Sequence, residues 1–244
     1  MPEETAEAMN QERPRRTRPV APTRTTLSRE YIAAMALALV DDIGRDKFSM
    51  RKLGAELGVD PMAVYRYFPD QEALFDGIAE TLFTELDVET LPWQGTWREL
   101  AEQYSRRLRD TLLTHPHAVT IFATRPVRSE ESIDTGNRMI ELMTGAGFSL
   151  GVALRILRCL REFVVGHALT VAVLRLGGER RSRKPAPDSP EYNRLAQSAD
   201  AAGSEDHFEL GLTTMLDGFA GLADRTQPNT PRPEGRTTGI DPRQ

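Results

Sequence analysis

The chain is short of most of the chemistry that marks enzymes, metal proteins and secreted scaffolds. It has a single cysteine, Cys159, in 244 residues, so no internal disulfide can form and a reducing cytoplasm is the expected compartment. No apolar run approaches the ~18 residues a membrane-spanning helix needs, so no membrane partner is expected. The opening Met1-Pro2-Glu3-Glu4 lacks the apolar segment of a secretory leader. Its four histidines (His115, His117, His167 and His207) form no i, i+4 pair, and the sequence predicts no metal site. Glycine-rich phosphate loops and a Gly-x-Ser-x-Gly elbow are missing, so neither a cofactor nor a catalytic constellation is expected. Positive charge is also in deficit, with a formal net charge of −5. An acidic chain can bind nucleic acid only through a local basic patch.

Two such patches are present. Arg13, Arg15, Arg16, Arg18 and Arg24 occur with no acid between residues 13 and 24. A second group, Arg45, Lys47, Arg51, Lys52 and Arg66, is opposed only by Asp46, Glu56 and Asp60. The first lies in a polar, proline-bearing segment, 1–26, that reads as a disordered arm; 226–244 reads the same way as a tail. A Gly/Pro-rich stretch from Gly177 to Pro190 reads as a long loop.

Everything else has helical period, and the predicted fold is all-α. Ser28 caps a first helix carrying Ile32, Met35, Ala36, Leu39, Val40 and Ile43 on one face, stopped by Gly44. Ser49 caps a second, with Leu53 and Leu57, ended by Gly58. Asp60-Pro61 starts a third, with Val64 and Phe68 at i and i+4, and Pro69-Asp70 stops it and caps a fourth bearing Leu74, Phe75, Ile78 and Leu82. Longer helices follow over Trp97 to Thr114, Glu131 to Thr144, Leu150 to Leu176 and about 204–224.

The segment 48–68, FSMRKLGAELGVDPMAVYRYF, is two short helices joined by a glycine turn. Closing a core with Leu53, Leu57, Val64 and Phe68 leaves Met62, Ala63, Tyr65, Arg66 and Tyr67 on the outer surface of the second helix. A helix fits the DNA major groove, and residues near its N-terminus reach base edges. An ordinary helical hairpin in a bundle has the same pattern, but it gives exposed tyrosines beside an arginine nothing to do.

The run from Leu27 to Phe83, and above all LGVDPMAVYRYFPDQEALFDGI, resembles the DNA-binding region of the tetracycline-repressor family. ATRP at 123–126, GFSL at 147–150 and FELGLTTMLDGF at 208–219 extend the likeness into the ligand-binding domain of the drug-responsive members, giving coverage of about 27–224. The resemblance implies a helix-turn-helix domain over 27–70, a ligand-binding and dimerisation domain over 71–225, and a transcriptional regulator acting on double-stranded DNA. It implies that Met50 and Arg51 approach the DNA, with Arg51 on a guanine edge, and that Pro61, Met62 and Ala63 line the groove. Tyr65 and Tyr67 would donate to phosphates, Arg66 stands where drug-responsive members carry an aromatic, and Gln71 replaces a lysine that contacts phosphate. The arginines of the arm either add DNA contacts or form a solubilising tail.

For the second domain the resemblance implies a homodimer through helices about 150–176 and 204–224, with Gly211 and Gly218 permitting close approach. It also implies a small-molecule effector cavity, for which the candidates are Trp97, Tyr104, Phe122, Thr124, Arg125, Met139, Met143 and Phe163, with His115, His117 and Asn137 as polar handles. Ile121 and Thr170 replace a metal-holding histidine and a partner carboxylate, so the implied effector is not a tetracycline–magnesium chelate. Cys159 is expected to be a packed small apolar residue. The expected function is a repressor released from a palindromic operator by its effector; an activating or effector-independent regulator, or a helical carrier or enzyme, are the alternatives.

Overall fold

The computed structural model describes residues 27–125, 127–177, 193–194 and 207–223; the arm, the tail and most of the long loop expected from sequence lie outside the described residues. The α-helices bounded among the described residues are α1 (Arg29–Ile43), α2 (Met50–Leu57), α3 (Pro61–Tyr65), α4 (Gln71–Thr84), α5 (Trp97–Thr114), α6 (Val119–Thr124), α7 (Glu130–Gly145), α8 (Leu150–Arg175) and α9 (His207–Ala223). No strand occurs among them, and no described helix is long and apolar enough to cross a membrane.

Local chemistry sets most of the helix ends. The Ser28 side chain accepts from Tyr31 N at the start of α1, and Ser49 accepts from Lys52 N at the start of α2. Asp60 Oδ1 accepts from Met62 N at the start of α3, and Asp70 Oδ1 from Ala73 N at the start of α4. Each bond satisfies a helix-terminal amide that has no partner inside its own helix. At α5, Thr96 and Glu99 form a reciprocal box in which each side chain bonds the other's backbone N–H. The helix α6 has no legible period: its six residues follow Pro116, and Val119, Ile121 and Phe122 are all buried.

The chain divides into two compact units, one ending at Ile78 and the other starting at Ala79. The division falls inside α4 and not at its start, because the N-terminal half of α4 belongs to the first core. There Leu74 and Ile78 are fully buried, and Phe75 packs on Phe48 with ring centroids 5.5 Å apart. In the second unit α8 is the central element, packing against α5, α6, α7 and α9. Ion pairs tie α9 to α5: Glu209 accepts from Arg106 and Arg109, and Asp217 from Arg98.

Candidate nucleic-acid interface and ligand cleft

The first unit builds a surface around α2 and α3. Gly58 ends α2 in the left-handed region (φ 68°, ψ 28°), where a side chain would be strained. Gly54, one turn earlier, lets the start of α3 approach: a Cβ there would lie 3.1 Å from the Val59 carbonyl oxygen and 3.2 Å from Pro61 Cα. After Tyr65 the amides of Tyr67 and Phe68 both bond the Val64 carbonyl, and Pro69, lacking an N–H, ends the turn. Leu53, Val64 and Phe68 are fully buried, as their spacing predicts. Leu57 is instead half-buried, and Met50 and Gly54 complete the buried face of α2.

This fold leaves Met62 66% exposed and Tyr65 40% exposed on α3, with Arg51, Lys52 and Arg66 exposed beside them. Arg51 and Arg66 make no ion pair or hydrogen bond with the described residues, whereas Lys52 Nζ donates to the Lys47 carbonyl. Pro61, Ala63 and Gln71 are half-buried at the same surface.

Two sequence-based expectations are corrected here. The Met50 side chain is only 6% exposed, so it packs within the unit and is not on the outer surface of the reading head. The Tyr67 hydroxyl, expected to face phosphate, donates to the Leu27 carbonyl at 2.7 Å, and its only proton is committed there. Arg29 reinforces this contact: Nη1 donates to the Tyr67 carbonyl at 2.8 Å, and the guanidinium lies 4.2 Å from the Phe68 ring centroid. The signal in sequence was slight, since the partners are 38 and 40 residues apart.

In the second unit the expected ligand residues fall at several places among the described residues. Trp97 borders an open cleft of about 690 Å³ with Trp93, Thr96, Arg138, Glu141 and Leu142; of the expected set it is the only one there. Arg138 stacks on Trp93 at 3.8 Å and bonds Glu89, and Trp97 meets Phe148 edge-on. Sequence reasoning missed Trp93 and Arg138, whose stacking joins residues 45 apart in the chain. Met139, Met143 and Phe122 are buried core. Tyr104 lies beside Arg161, which donates to the Phe122 and Arg125 carbonyls and so closes the C-terminal end of α6. Burial pushes the Tyr104 phenol up to about 12, against an opposing pull from Arg161. Thr124 is exposed, and its hydroxyl donates to Thr120 O.

Phe163 is committed to the α8–α9 seam, stacked on Phe208 at 5.2 Å. Gly211 serves that seam within the chain, since a Cβ there would lie 2.7 Å from Phe163 Cζ; Gly218 meets nothing within 4 Å. Of the polar handles, His115 is buried and bonds Glu85 through Nε2 at 2.7 Å, His117 is half-buried and Asn137 is exposed. Cys159 is exposed and not packed, because it lies on the face of α8 turned away from the helices around it.

Comparison with known proteins places both units. Residues 32–78 match the family described as bacterial regulatory proteins, tetR family, and 90–222 match the tetracyclin repressor-like C-terminal domain. The class A tetracycline repressor protein from transposon 1721 of Escherichia coli is 32% identical over 200 residues, covering 80% of this chain and 92% of that protein. Among solved structures, a possible TetR family regulator from Streptomyces coelicolor A3(2) superposes with a TM-score of 0.68 at 28% identity, covering 80% of this chain and 100% of that one. ActR of Streptomyces coelicolor, solved in complex with actinorhodin, superposes with a TM-score of 0.66 at 26% identity, covering 80% and 98%. With both of its units matched and a relative similar over nearly its full length, the chain belongs to the tetR family of DNA-binding transcriptional regulators.

Proposed function

We propose that the chain is a cytoplasmic, homodimeric repressor that reads a palindromic operator and is released by a small-molecule effector, with no catalytic step. The observation that carries this reading is the pairing of Met62 and Tyr65, both exposed on a five-residue helix, with an unengaged Arg51 on the helix before it. Apolar surface on so short a helix has no core to serve, and its dimensions suit a major groove. In this reading Arg51 donates to a guanine edge, while Pro61, Met62 and Ala63 lie against thymine methyls. Tyr65 donates to a phosphate, Arg66 adds charge near the backbone, and Gln71 makes a neutral bond to phosphate where a cation would bind more strongly.

One such head reads only a few base pairs, so recognition calls for two, ~34–36 Å apart. Leu150 and Leu154 on α8 and Leu210 on α9 are exposed, and a second copy of these helices would cover them. The effector is expected to be a small, partly hydrophobic molecule; two tryptophans, Trp93 and Trp97, border an open cleft in the second unit. In this reading the effector signal passes along α4, whose residues up to Ile78 belong to the first unit and the rest to the second. A coupling of ~3 kcal/mol would weaken operator binding about 150-fold.

The test is selection from a randomised duplex library at ~150 mM salt, with wild type, Arg51→Ala and Tyr65→Phe run in parallel. Wild type should enrich a palindrome with half-sites about one turn apart, Arg51→Ala should relax one position in each half-site, and Tyr65→Phe should weaken binding without changing the sequence. No enrichment, or three identical profiles, would sink the reading.

A further inference from the structure

We infer that the cleft bordered by Trp93 and Trp97 is a site for an organic cation, an ammonium or guanidinium group carried on an apolar or aromatic body. The inference rests on the effector-responsive reading above and names the chemistry its ligand should have.

The aromatic walls of the cleft are fixed by the protein's own contacts. The Trp93 indole N–H donates to the Val88 carbonyl at 2.8 Å, and the Arg138 guanidinium lies 3.8 Å from the Trp93 ring centroid. Trp97 opens α5 and meets the Phe148 ring edge-on, with centroids 5.0 Å apart. Both indoles are thereby held in one orientation, and both remain only half-buried at the cleft. Large apolar rings fixed in this way and left partly in water are surface that the body of a ligand would cover.

Charge selects the class of ligand. Arg138 would suit an anion, but its charge is already met within the chain. Its Nη1 donates to Glu89 Oε1 at 2.8 Å, and Asp134 Oδ2 lies 3.8 Å away. Glu141 lines the cleft from the next turn of α7, is exposed, and makes no side-chain ion pair or hydrogen bond with the described residues. One cation at the cleft is therefore set against three acids.

The end of α7 adds to this balance. Gly145, its last residue, and Ala146, its cap, also line the cleft. A helix C-terminus carries partial negative charge and is stabilised by a cation in its last turn. The last turn of α7 holds no basic residue. A carboxylate without a partner, a helix end without a cation and two indole rings all favour positive charge. An anion would have to displace Glu89 from Arg138 and then lie beside Glu141.

The chain has two tryptophans and both border this cleft, so indole emission reports on it directly. The full-length protein is titrated near pH 7, where an alkylammonium is charged, with phenethylammonium, 2-phenylethanol and phenylacetate. These probes share a body and differ in charge. Phenethylammonium should alter the emission saturably and bind about tenfold more tightly than 2-phenylethanol, with phenylacetate weakest of the three. The preference for the cation should shrink at ~1 M salt. Glu141→Gln, at an exposed position, should keep the melting temperature and the 2-phenylethanol affinity while cutting the cation preference to about threefold. Glu89→Gln, which leaves Arg138 with Asp134 alone, should strengthen phenylacetate binding about threefold. Equal binding of the three probes, tighter binding of phenylacetate, or an unchanged cation preference in Glu141→Gln overturns the inference. Emission that none of the probes alters overturns it as well. No DNA is present in these titrations, so failure of effector release is seen separately, as a palindrome affinity that saturating phenethylammonium leaves unchanged.

Discussion

Gly54 is the residue on which the geometry of the reading head turns, and Gly54→Ala sets two effects of known size against each other. Alanine in a helix interior is favoured over glycine by about 1 kcal/mol, so α2 by itself would gain. A Cβ at position 54, however, would lie 3.1 Å from the Val59 carbonyl oxygen and 3.2 Å from Pro61 Cα and Cγ. Two of these atoms are backbone and the third belongs to a ring fixed to the backbone, so none can rotate away. The start of α3 must move by a few tenths of an ångström, and overpacking of this kind costs about 1–3 kcal/mol. We expect a net loss of about 1 kcal/mol, read as a melting temperature lower by about 2–4 °C. Binding to the selected palindrome should weaken about fivefold as Met62 and Ala63 shift in the groove. Gly136→Ala in α7 is the control, since a Cβ there meets nothing within 4 Å. It should raise the melting temperature by a similar amount and leave DNA binding alone. If Gly54→Ala stabilised the protein as Gly136→Ala does, with operator affinity unchanged, the close approach of α2 to α3 would have no energetic consequence and the reasoning would be refuted.

Two further outcomes are expected in the second unit. The Tyr104 phenol is pushed up to about 12 from an ordinary value of 10.0, so the folded chain holds this proton more tightly than the unfolded chain does. Its contribution to stability is therefore complete below pH 10 and lost as pH rises toward 12. Ultraviolet titration should show one late tyrosine among the five, missing in Tyr104→Phe, and five tyrosines ionising together would contradict it. Glu209 accepts from Arg106 Nε and Nη2 and from Arg109 Nη1 at 2.8–3.1 Å, joining α9 to α5. Glu209→Gln should cost about 1 kcal/mol at low salt and less at ~1 M, because Arg106 and Glu209 are about one-third exposed and salt screens them. Melting curves at the two salt concentrations decide this, and a loss independent of salt would point to packing in place of charge.

Much of the fold was legible because helix boundaries are local chemistry. Ser28, Ser49, Asp60 and Asp70 were each readable as caps, and each accepts a backbone amide at the expected helix start. The limits of α5 matched residue for residue, while α6 was missed because six residues buried along their length carry no period. Met62, Tyr65 and Arg51 were readable as surface once Val64 and Phe68 were assigned to the core.

The ligand-site candidates are only weakly marked in the sequence. The expected residues share a composition, apolar and aromatic on long helices, that core packing also requires. Only Trp97 stands at the described cleft, and Phe163 serves the α8–α9 seam instead.

The sequence by itself determined the all-α class, most helix starts and the family, because caps, period and motif spacing all act within a few residues; it carried α3 on to Phe68, whereas the helix ends at Tyr65. Tertiary structure alone decided which of two apolar residues at the start of a helix turns inward, as Met50 does, and where a hydroxyl spends its single proton, as Tyr67 does on Leu27. It also decided that Glu209 would meet Arg106 across 103 residues. Such contacts depend on how helices pack, and packing is set by the summed burial of many distant side chains, a quantity that no short window of sequence contains.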